Sequence, residues 1–181
     1  VISDWDEPVI TVDNFEIAQF FYLLLHNKEI RSVVHSISSQ VILILGCFLP
    51  ERMAILDTLR EELRKHEYLP VFFDCQKPSS QNFIAMISLL ARMARFIIAD
   101  FTDPKIVLQV LPHIVRTIAV PVQPLLIKGA GKEPPMISTL RRHHKSVLDT
   151  YWYTDSQDLL LSLEEQVIVS AEARIRELRR V

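Results

Sequence analysis

A chain of 181 residues suits a single domain with one core. Hydrophobic residues at 49% and charged residues at 23% exclude a disordered polymer. The formal net charge of -2 excludes a global basic field, so neither nucleic acid nor a membrane surface is expected as a partner.

Residues 1 to 12 read as extended and polar, with Pro8 as a breaker. The chain begins at Val1 rather than Met, which predicts a piece of a longer protein with upstream domains as partners. Its first residues are acidic, unlike a signal peptide. Asp13 reads as a helix N-cap with Glu16 in the capping-box position. The helix it opens, Asn14 to His26, is apolar on nearly every face and needs more than one neighbour. One stripe carries Ile17, Phe21, Leu24 and Leu25; Phe15, Phe20 and Leu23 are the candidates for an interface, and a symmetric dimer is expected. A second short helix covers Lys28 to Ser36, completing a helical extension over residues 1–39.

The α/β body, residues 40–181, starts with Val41-Ile42-Leu43-Ile44-Leu45, closed by Gly46. A continuous aliphatic run of this length suits a strand buried on both faces. Pro50 and Glu51 open a helix that runs to about His66, with apolar positions at helical spacing. Strand two is Leu69 to Asp74, followed by a polar loop over Gln76 to Asn82 and a helix from Phe83 to Met93. Strand three is Arg95 to Asp100. Thr102-Asp103-Pro104 then reads as the cap and first turn of a helix through Ile118, in which Pro112 predicts a kink or a break. Strand four, Val120 to Ile127, contains Pro121 and Pro124 and is therefore expected near the sheet edge. A loop, Lys128 to Lys132, leads to a short helix Pro135 to Lys145, a fifth strand Val147 to Tyr153 and a long closing helix Asp155 to Arg180. Five strands alternating with helices predict a flavodoxin-like, doubly wound parallel sheet in the order 2-1-3-4-5.

Three glycines cannot make a dinucleotide fingerprint or a Walker loop, and no GxSxG elbow exists. Cys47 and Cys75 are too few for a disulfide framework and each follows a strand, which predicts reduced thiols in a cytoplasmic protein. No Cys/His cluster supports a metal site.

The crevice of such a sheet lies at the carboxyl ends of strands one and three. The candidate ligand-binding residues there are Gly46, Cys47, Arg52, Asp74, Lys77, Asp100, Thr102 and Asp103. Asp74 stands where doubly wound folds place an acid on a ribose; its other reading is a turn cap or a pair with Lys77. Asp100 is either a polar anchor for a ligand or metal, or an acceptor for the amides of Thr102 and Asp103. Arg52 either pairs with a phosphate or lies on the surface. The Lys128 to Lys132 loop is a connector or an anion cradle. Cys47 has the position of a thiol with a lowered pKa.

Val41 to Gly46, Pro50-Glu51-Arg52, Tyr68-Leu69-Pro70-Val71 with Asp74, and Met93 to Asp103 together resemble the bacterial Toll/interleukin-receptor-like (TIR-like) domains, some of which end cyanobacterial pentapeptide-repeat and related multidomain proteins. The resemblance spans roughly Gln40 to Leu178, and the segment before it resembles the connector of those proteins. It implies one of two activities: assembly with other TIR-like domains, or cleavage of NAD by a glutamate near the helix after strand three. Where relatives carry that glutamate this chain reads Gln109-Val110-Leu111, and the Phe83 to Met93 helix offers only Ala85 and Met86. Asp100 and Asp74 remain as weak catalytic candidates. The expectation is a signalling domain that needs no cofactor, above an NAD nucleosidase-like hydrolase or a sensor that binds NAD or a related nucleotide without turnover.

Overall fold

The computed structural model describes residues 10–11, 40–46, 50–74, 83–104 and 107–180. Six strands form one sheet: β1 (Ile10–Thr11), β2 (Val41–Gly46), β3 (Leu69–Asp74), β4 (Phe96–Asp100), β5 (Val122–Ile127) and β6 (Tyr151–Tyr153), in the order β1-β3-β2-β4-β5-β6. The five strands from β2 onward are parallel, so counted from β2 their order is 2-1-3-4-5. Helices lie between them, and the fold is the flavodoxin-like α/β arrangement that the strand pattern predicts. The sequence did not announce β1, which pairs antiparallel with β3 at the edge, Ile10 opposite Phe73. The interface candidates Phe15, Phe20 and Leu23 lie outside the described residues.

All six residues of β2 are buried, and their alternation divides the core. Leu43 and Leu45 join Ile97 and Ala99 under helices α2 (Phe83–Met93), α3 (Val107–Thr117) and α4 (Pro135–His143). Ile42 and Ile44 join Phe96 and Ile98 under α1 (Met53–Lys65) and the closing helix. A strand covered on both sides has no solvent face, so every position selects an apolar side chain. On α1, Leu56, Leu59 and Leu63 face inward, while Arg60 stacks over the Phe72 ring at 4.7 Å.

Two local expectations are corrected and one is met. Of the kink or break that Pro112 predicts, the break is absent: α3 continues from Val107 to Thr117 on five buried residues, and that packing outweighs one missing amide bond. β5 lies near the sheet edge, as its prolines predict: it is next to the last strand, with β4 pairing on one side and β6 on the other. Val122 directs its amide and carbonyl toward the β6 side, to Ser146 and Leu148. Pro124 shares that direction by the two-residue alternation. It stands between the isolated bridge Val122–Val147 and the β5–β6 ladder that begins at Leu125–Tyr151, where its missing amide leaves no gap in a ladder. The fifth parallel strand is accordingly shorter than Val147 to Tyr153.

The closing helix is not uniform either. It comprises α5 (Ser156–Ser162), a π-helical stretch (Leu163–Val169) and α6 (Ser170–Leu178). Asp155 caps it, accepting from the Asp158 amide at 2.9 Å. Leu163 and Ile168 are five residues apart and both are buried, a spacing that a π turn stacks directly. Leu161 remains 86% exposed.

At the amino ends of β3 and β4, Arg95 holds Glu172 of α6 with both Nε and Nη2, the latter at 2.6 Å, and Tyr68 donates to the same carboxylate at 2.9 Å. Arg95, against the opposing effect of burial, holds the Glu172 carboxyl below its ordinary value. Burial and Glu172 push the Tyr68 hydroxyl up to about 12. Because the folded carboxyl titrates lower than an unfolded glutamate, this contribution is complete above the unfolded value of about 4.3 and fades as pH falls through the folded value. Glu172→Gln should therefore show a flatter loss of stability than the parent on acidification from about pH 5 to 3. Urea midpoints across that range measure the difference; parallel curves would contradict it.

Candidate functional site

Parallel strands bring their carboxyl ends to one edge of the sheet, so residues far apart in sequence meet there. Gly46 ends β2 and pairs in register with Asp74, which ends β3. Asp100 ends β4 between β2 and β5, and Tyr153 ends β6. Arg52 closes a 3-10 turn, Pro50–Arg52, that leads from β2 into α1. Cys47 and Lys77 lie outside the described residues.

Arg52 is the centre of this site. It is 9% exposed, and its Nη2 donates to Asp100 Oδ2 and to the Tyr153 hydroxyl, each at 2.5 Å. Asp100 is 6% exposed and its second oxygen, Oδ1, accepts from the Thr102 amide at 3.0 Å and the Thr102 hydroxyl at 2.7 Å. Asp100 thus tightens the loop after β4 through Thr102, as the second reading expects, and its other oxygen meets the protein's own Arg52. Thr102 turns back on Asp100, and Asp103 lies half-buried beyond it.

The electrostatics follow from burial. Desolvation alone would weaken the Arg52 charge, but Asp100 and the Tyr153 oxygen outweigh it and raise the guanidinium above its usual value. Burial, then the Asp100 charge, raises the Tyr153 phenol, which keeps it neutral. Arg52 Nε is buried with no partner among the described residues. The cluster is a neutralised ion pair with one orphan donor.

Tyr153 is the member that sequence reasoning missed. Its position at the end of the last strand and its polar tip on an apolar body were the only signals. The anion-cradle reading of the Lys128 loop fares less well. The Lys128 amide donates to Tyr153 and the Ala130 amide to Ile127, and Lys128 faces Asp158 at 3.8 Å. Gly129 has φ +91°, which fits a connector that turns sharply. On α3, Gln109 is exposed while Val110 and Leu111 are buried. Among the described residues no group of His, Cys, Asp and Glu side chains is placed to hold a metal ion. No helix among them is long and apolar enough to cross a membrane.

Compared with protein-family models, curated proteins and solved structures, the chain matches none.

Removing one partner of a buried ion pair leaves the other charge uncompensated, at a cost of about 3–5 kcal/mol. Arg52→Met should lose that much stability. Tyr153→Phe removes one acceptor from a charged donor and should lose about 1–3 kcal/mol. Denaturant unfolding of both variants checks the order; a Tyr153→Phe protein less stable than Arg52→Met would contradict it.

Proposed function

We propose that this chain is a TIR-like signalling domain of the cytoplasm that works by association, with a second copy, with other TIR-like domains or with other domains of its own protein, rather than by cleaving NAD. The observation that carries the reading is the saturation of Asp100. Glycosidic cleavage passes through an oxocarbenium-like state and needs a carboxylate whose charge is free to face the sugar. Here one Asp100 oxygen is held by Arg52 at 2.5 Å and the other by two groups of Thr102. An internal guanidinium satisfies the charge that a substrate would have to meet. The α3 helix supports the same reading. The stretch where the resemblance places a glutamate puts Val110 and Leu111 into the core and leaves a neutral Gln109 outside. Exposed apolar side chains on the closing helix, Leu161 at 86% and Val169 at 52%, suit a surface that meets a partner.

The test is incubation of the protein at high concentration with NAD, following nicotinamide by chromatography. The parent and Asp100→Asn should release equally little, at the level of buffer. Release by the parent that disappears in Asp100→Asn would overturn the proposal and restore Asp100 as a catalytic residue.

A further inference from the structure

At the opposite edge of the sheet from Asp100, where β4 and β5 begin, a groove of about 280 Å³ opens between α2, α6 and the segment from Ile118 to Pro121. Its apolar wall includes Ile118, Val120 and Leu178, and its rim carries Arg92 of α2, Arg95 just before β4, and Arg179 just after α6. Arg95 is bound to Glu172. Arg92 and Arg179 are exposed and form no ion pair among the described residues. The helix dipole accounts for a basic residue in the last turn of α2. Arg179, the C-cap of α6, has the same cause, and the two helix ends bring both guanidinium groups, without an ion pair among the described residues, to one apolar wall.

We propose that this groove docks an acidic peptide segment of a partner protein, with an aliphatic side chain in the groove and carboxylates on Arg92 and Arg179. This deepens the interaction-domain reading by naming a partner chemistry, and it is measured at a different edge of the molecule. Nicotinamide release would overturn that reading without touching peptide binding, and loss of peptide binding would leave it intact. A peptide fits better than a small free anion. Exposed ion pairs are individually weak, so useful affinity needs several of them together with buried apolar area, which an extended segment supplies at once. A nucleic acid would need many phosphate contacts, and a chain of net charge -2 offers no field for them.

The experiment uses a fluorescein-labelled synthetic peptide carrying one leucine between pairs of glutamates, read by fluorescence anisotropy. The parent should bind it. Arg92→Glu with Arg179→Glu should bind at least about tenfold more weakly, as should Ala119→Glu, which adds an acid to the exposed groove wall. Arg142→Glu, an exposed residue of α4 that does not line the groove, should bind like the parent. A peptide with glutamines in place of the glutamates should not bind. Absence of binding by the parent would overturn the proposal. So would an equal loss in Arg142→Glu, equal binding of the glutamine peptide, or displacement of the peptide by a DNA duplex or phosphatidylserine vesicles at equal charge.

Discussion

A guanidinium buried beneath the carboxyl ends of the strands needs a counter-charge, and the rest of the upper edge is arranged around meeting that need. Arg52 enters from the turn before α1, Asp100 from the centre of the sheet and Tyr153 from its last strand. Three separate strand–helix units are therefore tied at one point, through charge-assisted bonds that are strong when dry and damaging when broken. The ordering of the loop after β4 follows from the same pair, since Thr102 is held by the oxygen that Arg52 leaves free. At the edge where doubly wound folds commonly bind a ligand, Arg52, Asp100 and Tyr153 bond to one another.

The lower edge has the opposite character. Helices α1 to α4 each carry basic residues in the last turn and no acid in the first. Every helix of a parallel α/β fold returns to the same edge, so the favourable placement of cations at helix carboxyl ends accumulates there. Part of that charge is used internally, as where Arg95 and Tyr68 clamp Glu172 of the closing helix. Arg92 and Arg179 are what remains beside an apolar groove. The upper edge thus holds a buried polar cluster, and the lower edge an open basic rim.

The parallel sheet was legible because two-sided burial writes itself into composition. Val41 to Leu45 and Phe96 to Ala99 are apolar without alternation, and only a central strand demands that. What escaped was set by tertiary context. The place of Pro124 depends on where the β6 ladder starts, and the π stretch depends on burying both Leu163 and Ile168; neither is a local preference. At the site, Arg52, Asp100 and Thr102 were legible as residues at strand ends, but their mutual saturation was not. Spacing along the chain does not reveal that Arg52 partners Asp100, 48 positions on, nor that Tyr153, 101 positions from Arg52, completes the set.

Coupling between Arg52 and Asp100 holds the upper edge together, and a double-mutant cycle measures it directly. Arg52→Met, Asp100→Asn and the double variant would be unfolded in denaturant alongside the parent. If Arg52 chiefly neutralises Asp100, removing the charge from Asp100 should recover much of the stability lost in Arg52→Met, giving a coupling of about 2–3 kcal/mol. Additive losses within about 0.5 kcal/mol would mean that the two residues act independently and that the upper edge is not sealed by their pairing.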